Sequence, residues 1–125
     1  MSFTISKRIV DGVTILDLEG RVTLGEATGK VREAVKAAIN EGPNIVLNLA
    51  GVPYMDSAGL GEMVGAFSSV VGRGGHLRLL YPQKRLHELL QLTRLCTVFE
   101  TFEDERAAVS SYHAAAGATA SAGSR

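Results

Sequence analysis

A chain of 125 residues has the size of one domain, which speaks against a two-domain enzyme with a separate substrate-binding unit. With 46% hydrophobic and 21% charged residues it can bury a core, so neither a disordered tail nor a fibre fits. Thirteen Lys and Arg balance thirteen Asp and Glu, without the basic surplus of a nucleic-acid or anionic-membrane binder.

Cys96, the single cysteine, can form no internal disulfide and has no second cysteine with which to share a zinc ion. It reads as a small buried residue. The segment Met1 to Ile5 lacks the basic-then-apolar pattern of a secretory signal, and no apolar run approaches the ~18 residues of a membrane span. The expectation is a cytoplasmic protein with no membrane segment, no cofactor and no direct nucleic-acid partner.

In chain order, Phe3, Ile5, Lys7 and Ile9 alternate with other residues, Asp11-Gly12 punctuates, and Val13 to Leu18 follows, which predicts two antiparallel strands in a hairpin. Ala27, Val31, Ala34, Val35, Ala38 and Ile39 recur at steps of three and four, and Asn40 to Pro43 supplies stop signals, so an amphipathic helix comes next. Asn44 to Leu49 is short and apolar on nearly both faces, as befits the central strand of a covered sheet. From Ala58, the residues Leu60, Met63, Val64, Phe67, Val70 and Val71 trace a second helix that Gly72-Arg73-Gly74-Gly75 ends.

A strand with Leu77 and Leu79 closes before Pro82, and Leu86, Leu89 and Leu90 mark a short helix. Thr97-Val98-Phe99 reads as a weak strand, and a last helix beginning near Glu103 carries Val109 and Tyr112. The resulting order, with strands and helices alternating, predicts an α/β sandwich: a mixed β-sheet with an N-terminal antiparallel hairpin and about four α-helices. Residues 1–113 form the domain, and the Ala/Gly/Ser-rich residues 114–125 read as a flexible tail.

Chemical content concentrates where the central strand passes through a loop into the second helix, Leu47 to Gly61, because that junction exposes a helix N-terminus at the carboxyl edge of the sheet. Asp56 and Ser57 are both N-cap residue types, so residue types alone favour a plain cap. The sharper reading is an exposed Ser57 hydroxyl that accepts a phosphate, which adds about −1.5 to −2 charges beside Asp56. Gly59 and Gly61 both weaken the first helical turn, and two explanations stand side by side: backbone packing against a neighbouring strand, or a partner chain lying close.

The run Tyr54-Met55-Asp56-Ser57-Ala58-Gly59-Leu60-Gly61 after the Ile45 to Leu49 strand resembles the signature of STAS domains, specifically bacterial anti-sigma factor antagonists. Leu89 to Glu100, followed by acidic Glu103-Asp104-Glu105, is similar to that family's terminal segment, so the resemblance spans roughly Phe3 to Tyr112. It implies a STAS-like sandwich and a partner switch: the unmodified protein binds an anti-sigma factor that is itself a serine kinase, and a sigma factor is released. Phosphorylation reverses binding, and a metal-dependent serine phosphatase restores it. The family's phosphoacceptor carries over to Ser57, and Met55, Asp56, Ser57, Ala58, Gly59, Leu60, Gly61 and Met63 form the implied partner surface. Where antagonists often have a second Ser or a Thr, this chain has Ala58, which leaves one hydroxyl. A first strand that starts at once is also more similar to the free-standing antagonists than to versions attached to other modules.

The same residues admit two other readings. A hydrolase built from Ser57, Asp56 and His76 or His87 lacks a Gly-x-Ser-x-Gly elbow and places both histidines poorly. A STAS-type module that binds a nucleotide or lipid predicts a concave apolar pocket, whereas partner switching predicts a convex, exposed Ser57 rimmed by Met55, Gly59, Leu60 and Met63. Lys84, Arg85, Arg94 and Arg106 read as a solvated face of which one or two could rim the partner site, without being ligands, and Gly72 to Gly75 reads as a turn.

Overall fold

The computed structural model describes residues 3–120. Asp11 and Gly12 take left-handed φ values of 50° and 81°, the pair a type I′ turn demands, so β1 (Thr4–Val10) folds straight back on β2 (Val13–Glu19). Their antiparallel register runs from Thr4 opposite Glu19 to Val10 opposite Val13. Each later strand needs a crossover helix, which makes the rest of the sheet parallel. The order is β1-β2-β3-β4-β5, with β3 (Asn44–Gly51) in the centre, β4 (His76–Leu80) beside it and the two-residue β5 (Thr101–Phe102) at the far edge.

Helices cover both faces. α1 (Glu26–Glu41) buries Ala27, Thr28, Val31, Val35 and Ala38, and α2 (Ser57–Gly72) buries Gly59, Met63, Ala66 and Val70, steps of three and four that put one stripe of each against the sheet. α3 (Lys84–Leu92) adds Leu86 and Leu90 to the same core, with Leu16, Leu18, Ile45, Leu47, Leu49 and Leu79 beneath. On the opposite face α4 (Glu105–Ala120) lays Ala108, Val109 and Tyr112 on Val13, Ile15, Val46 and Leu80. β3 contributes to both clusters, which is why its sequence is apolar almost without interruption. No helix among the described residues is long and apolar enough to cross a membrane.

Two expectations need correction. Residues 97–99 form no strand: Arg94, at φ 63°, breaks out of α3 into a 3₁₀ turn at Leu95–Thr97, and Phe99 plugs the core edge-on to Phe67 with ring centroids 5.4 Å apart. The strand that pairs with β4 comes two residues later. Cys96 is exposed rather than buried, because the turn aims Leu95 and Phe99 inward and leaves position 96 on the outside. The backbone of α4 runs on through 114–120, the first part of the segment read as a tail. Residues 121–125 of the expected tail lie outside the described residues.

Candidate functional site

β3 leaves the sheet at Gly51, where a Cβ would stand 2.9 Å from the carbonyl oxygen of Leu18, so only glycine lets the strand end against β2. The chain then runs Val52 to Asp56 along the carboxyl edge of the sheet and is laced to the segment after β2. The Val22 amide donates to the Tyr54 carbonyl at 3.0 Å, the Asp56 amide donates to the Val22 carbonyl at 3.2 Å, and Val22 and Met55 form an isolated parallel bridge.

Asp56, in extended conformation, is the N-cap of α2. One carboxylate oxygen accepts from the Gly59 amide at 2.8 Å, as an N-cap side chain does. The other accepts from the Leu24 amide at 3.1 Å and so ties the helix start to the loop before α1. Hydrogen bonds from the Gly59 and then the Leu24 amide favour the ionised form and hold this carboxyl below its ordinary range. Of the two cap candidates, Asp56 takes the cap, and Ser57 is left as the first residue of the helix, exposed.

The two glycines separate. A Cβ on Gly59 would sit 2.2 Å from the Val22 carbonyl oxygen and 2.7 Å from Met55 Cγ, so backbone packing explains Gly59. A Cβ on Gly61 would meet nothing within 4 Å.

The implied partner surface divides in the same way. Ser57 and Gly61 are exposed, and Asp56, Ala58 and Leu60 are half-buried. Met55 and Met63, at 7% and 1% exposure, belong to the core with Gly59, although Met55 still lines the cleft beside Ser57. Met63 lies two turns into α2 on the face that meets the sheet, and Met55 packs beneath the loop that crosses to Val22.

Nor is the surroundings of Ser57 convex. A cleft of about 840 Å³ runs between the 52–57 loop and α3, with Tyr54, Ser57, Leu60, Arg85, Leu89 and Leu92 along it. Tyr54 carries the Arg85 guanidinium at 5.8 Å from its ring centroid and that of Arg21 at 4.7 Å. Leu92, 82% exposed in the cleft, and Leu24, 79% exposed beside Asp56, are the most exposed large apolar side chains among the described residues.

Sequence reasoning misses Arg21, Leu24, Tyr54, Leu89 and Leu92 as site residues and offers Arg85 only as one of four basic residues that could rim the partner site. One signal was available: four leucines in the nine residues of α3 exceed what a single buried stripe, Leu86 and Leu90, requires. The hydrolase arrangement does not assemble. His76 begins β4 opposite Asn44, at the other end of β3 from Ser57, and His87 is exposed on α3 outside the cleft.

The family model of the STAS domain matches residues 4–108. An anti-sigma-B factor antagonist of Listeria monocytogenes is 36% identical over 101 residues, covering 80% of this chain and 87% of that one. The crystal structure of an anti-sigma factor antagonist from Mycobacterium paratuberculosis superposes with a TM-score of 0.75 at 20% identity, covering 88% of this chain and 93% of the other. The Bacillus protein SpoIIAA, solved in a phosphorylated form, reaches 0.69 at 20% identity, covering 89% and 99%, and at that identity the likeness is one of fold. Because the family model matches most of its length, the chain belongs to the STAS domain family, grouped by its relatives with the anti-sigma factor antagonists.

Proposed function

We propose that this protein is an anti-sigma factor antagonist that works as a partner switch. With Ser57 unmodified it binds an anti-sigma factor serine kinase in the cytoplasm, and a sigma factor is released. The kinase phosphorylates Ser57 and binding ends, until a serine phosphatase removes the phosphate. The observation that carries this reading is the exposed Ser57 hydroxyl on the first residue of α2, beside a cap carboxylate whose two oxygens are both already engaged.

A phosphate at this position sits at the positive end of the helix dipole, near the amides of the first turn, so the backbone has little reason to move. The cost falls on the complex. A dianion facing an acidic or apolar partner surface meets repulsion and desolvation, and a few kcal/mol corresponds to a 10²-fold or larger loss of affinity.

The test is a pair of variants assayed against the anti-sigma factor kinase of the same host. Ser57→Asp is expected to fold and lose binding, while Ser57→Ala binds constitutively and takes no phosphate. An Asp variant that binds as the wild type does, with an Ala variant still phosphorylated, overturns the proposal. The concave cleft favours one second reading, since 840 Å³ falls within the range of small-ligand sites. A nucleotide or lipid retained by the purified protein in native mass spectrometry, with Ser57 unmodified in the host, would move the assignment there.

A further inference from the structure

Arg21 and Arg85 both lie over the ring of Tyr54, three residues before Ser57, and neither makes an ion pair among the described residues. Elsewhere on the molecule Arg8, Arg32 and Arg78 each hold a carboxylate. The nearby acids leave these two guanidiniums unclaimed: both oxygens of Asp56 accept backbone amides, and Glu88, which lines the cleft with Arg85, forms no ion pair with it.

Arg85 also stands on a fixed base. It is the second residue of α3, and Gln83, the residue before that helix, donates its side-chain amide to the Ala50 carbonyl at 2.6 Å, tying the helix start to the end of β3 that leads to Ser57. The cleft thus sets the Ser57 hydroxyl on its loop wall and a free guanidinium on its α3 wall.

We propose that Arg85, seconded by Arg21, captures the phosphate on Ser57 and converts the modification into a closed cleft. This rests on the reading of Ser57 as the phosphoacceptor. A planar guanidinium offers parallel N–H donors that match two phosphate oxygens, a stronger and more directional contact than its resting place over an aromatic ring. The bridge formed across the cleft covers the apolar wall at Leu60 and Leu89. The phosphoprotein then loses its partner by occlusion as well as by repulsion, and the charge added by phosphate is partly neutralised within the protein itself.

The experiment uses the full chain with phosphoserine installed at position 57 by genetic code expansion, and follows the phosphate by ³¹P NMR as pH is varied. A nearby cation favours the dianion, so the second ionisation is expected below its ordinary value near ~6. Arg85→Gln is expected to raise it by about half a unit, about threefold in proton affinity. Arg85→Lys restores part of the shift, and Arg21→Gln gives a smaller rise. The dipole of α2 and the charges of Asp56 and Glu88 are common to all these proteins and cancel in the comparison. Arg85 is exposed, and circular dichroism verifies that each variant is folded. Equal titration of wild type and Arg85→Gln overturns the proposal, as does a shift confined to Arg21→Gln. Because no kinase is involved, a host that never phosphorylates Ser57 would overturn the switch while leaving the titration result in place.

Discussion

The carboxylate of Asp56 joins two loops and a helix through main-chain amides, and its ionised form is the one those amides prefer. Its contribution to stability is therefore complete above the ordinary aspartate range and is lost as pH falls through the lowered folded value. Asp17, held below its ordinary range first by the hydrogen bonds of Arg8, has the same sign. Urea midpoints measured from about pH 7 to pH 3 are expected to fall at the acid end. Asp56→Asn, which keeps one acceptor oxygen but cannot titrate, is expected to fall less steeply. At the two glycines the signs differ. Gly59→Ala forces a methyl into the Val22 carbonyl and is expected to cost about 1–3 kcal/mol, whereas Gly61→Ala, in an open helical position, is expected to gain about 0.5–1 kcal/mol. Equilibrium unfolding of the two variants side by side checks both. Their difference could not be read from the chain, because the atom that excludes a side chain at 59 belongs to Val22, thirty-seven positions away.

Among the elements, α4 alone guards its face of the sheet, and its anchors are polar as well as apolar. The Tyr112 hydroxyl donates to the Ile45 carbonyl at 2.7 Å, with the His76 carbonyl at 3.0 Å, and Arg78 lies 4.1 Å over the ring. Arg8 reaches Asp17 on one side and Glu105 of α4 on the other. Burial pushes the Tyr112 phenol from 10.0 up to about 12, so the neutral form is the one the fold prefers. Stability from this group is complete below the ordinary tyrosine value and is lost as pH climbs toward the raised one. Tyr112→Phe is expected to cost about 1 kcal/mol near neutrality, to speed amide hydrogen exchange in α4, and to flatten the alkaline loss of stability above pH 10. The hairpin, α1, α2 and the central strand were legible in the sequence because each carries a period or a turn signal of its own. β5 was not: its two residues have no period, and the better strand residues at 97–99 are consumed by a turn that begins with the left-handed Arg94. The cleft was illegible for a related reason, since its walls are separated by some thirty residues and meet only when α3 docks.

For the whole molecule, the site occupies one rim, where β2 and β3 both end, and the exposed leucines 24 and 92 sit on that rim rather than over the core. Leu92→Ser and Leu24→Ser are expected to leave the unfolding midpoint nearly unchanged, within about 0.5 kcal/mol. They are expected to weaken the complex with the anti-sigma factor, which titration calorimetry measures; unaltered affinity in both would move the contact surface elsewhere. The lacing between the two rim segments has a consequence for how such a protein can change over generations. Val22 to Tyr54, Asp56 to Val22 and Leu24 to Asp56 all employ main-chain groups on at least one side, and two of the three employ nothing else. The side chain at 24 can therefore drift without disturbing the frame that presents Ser57. A duplicated gene could be rewired to a different partner by a few surface substitutions, keeping the same fold and rim while cross-talk with its parent disappears.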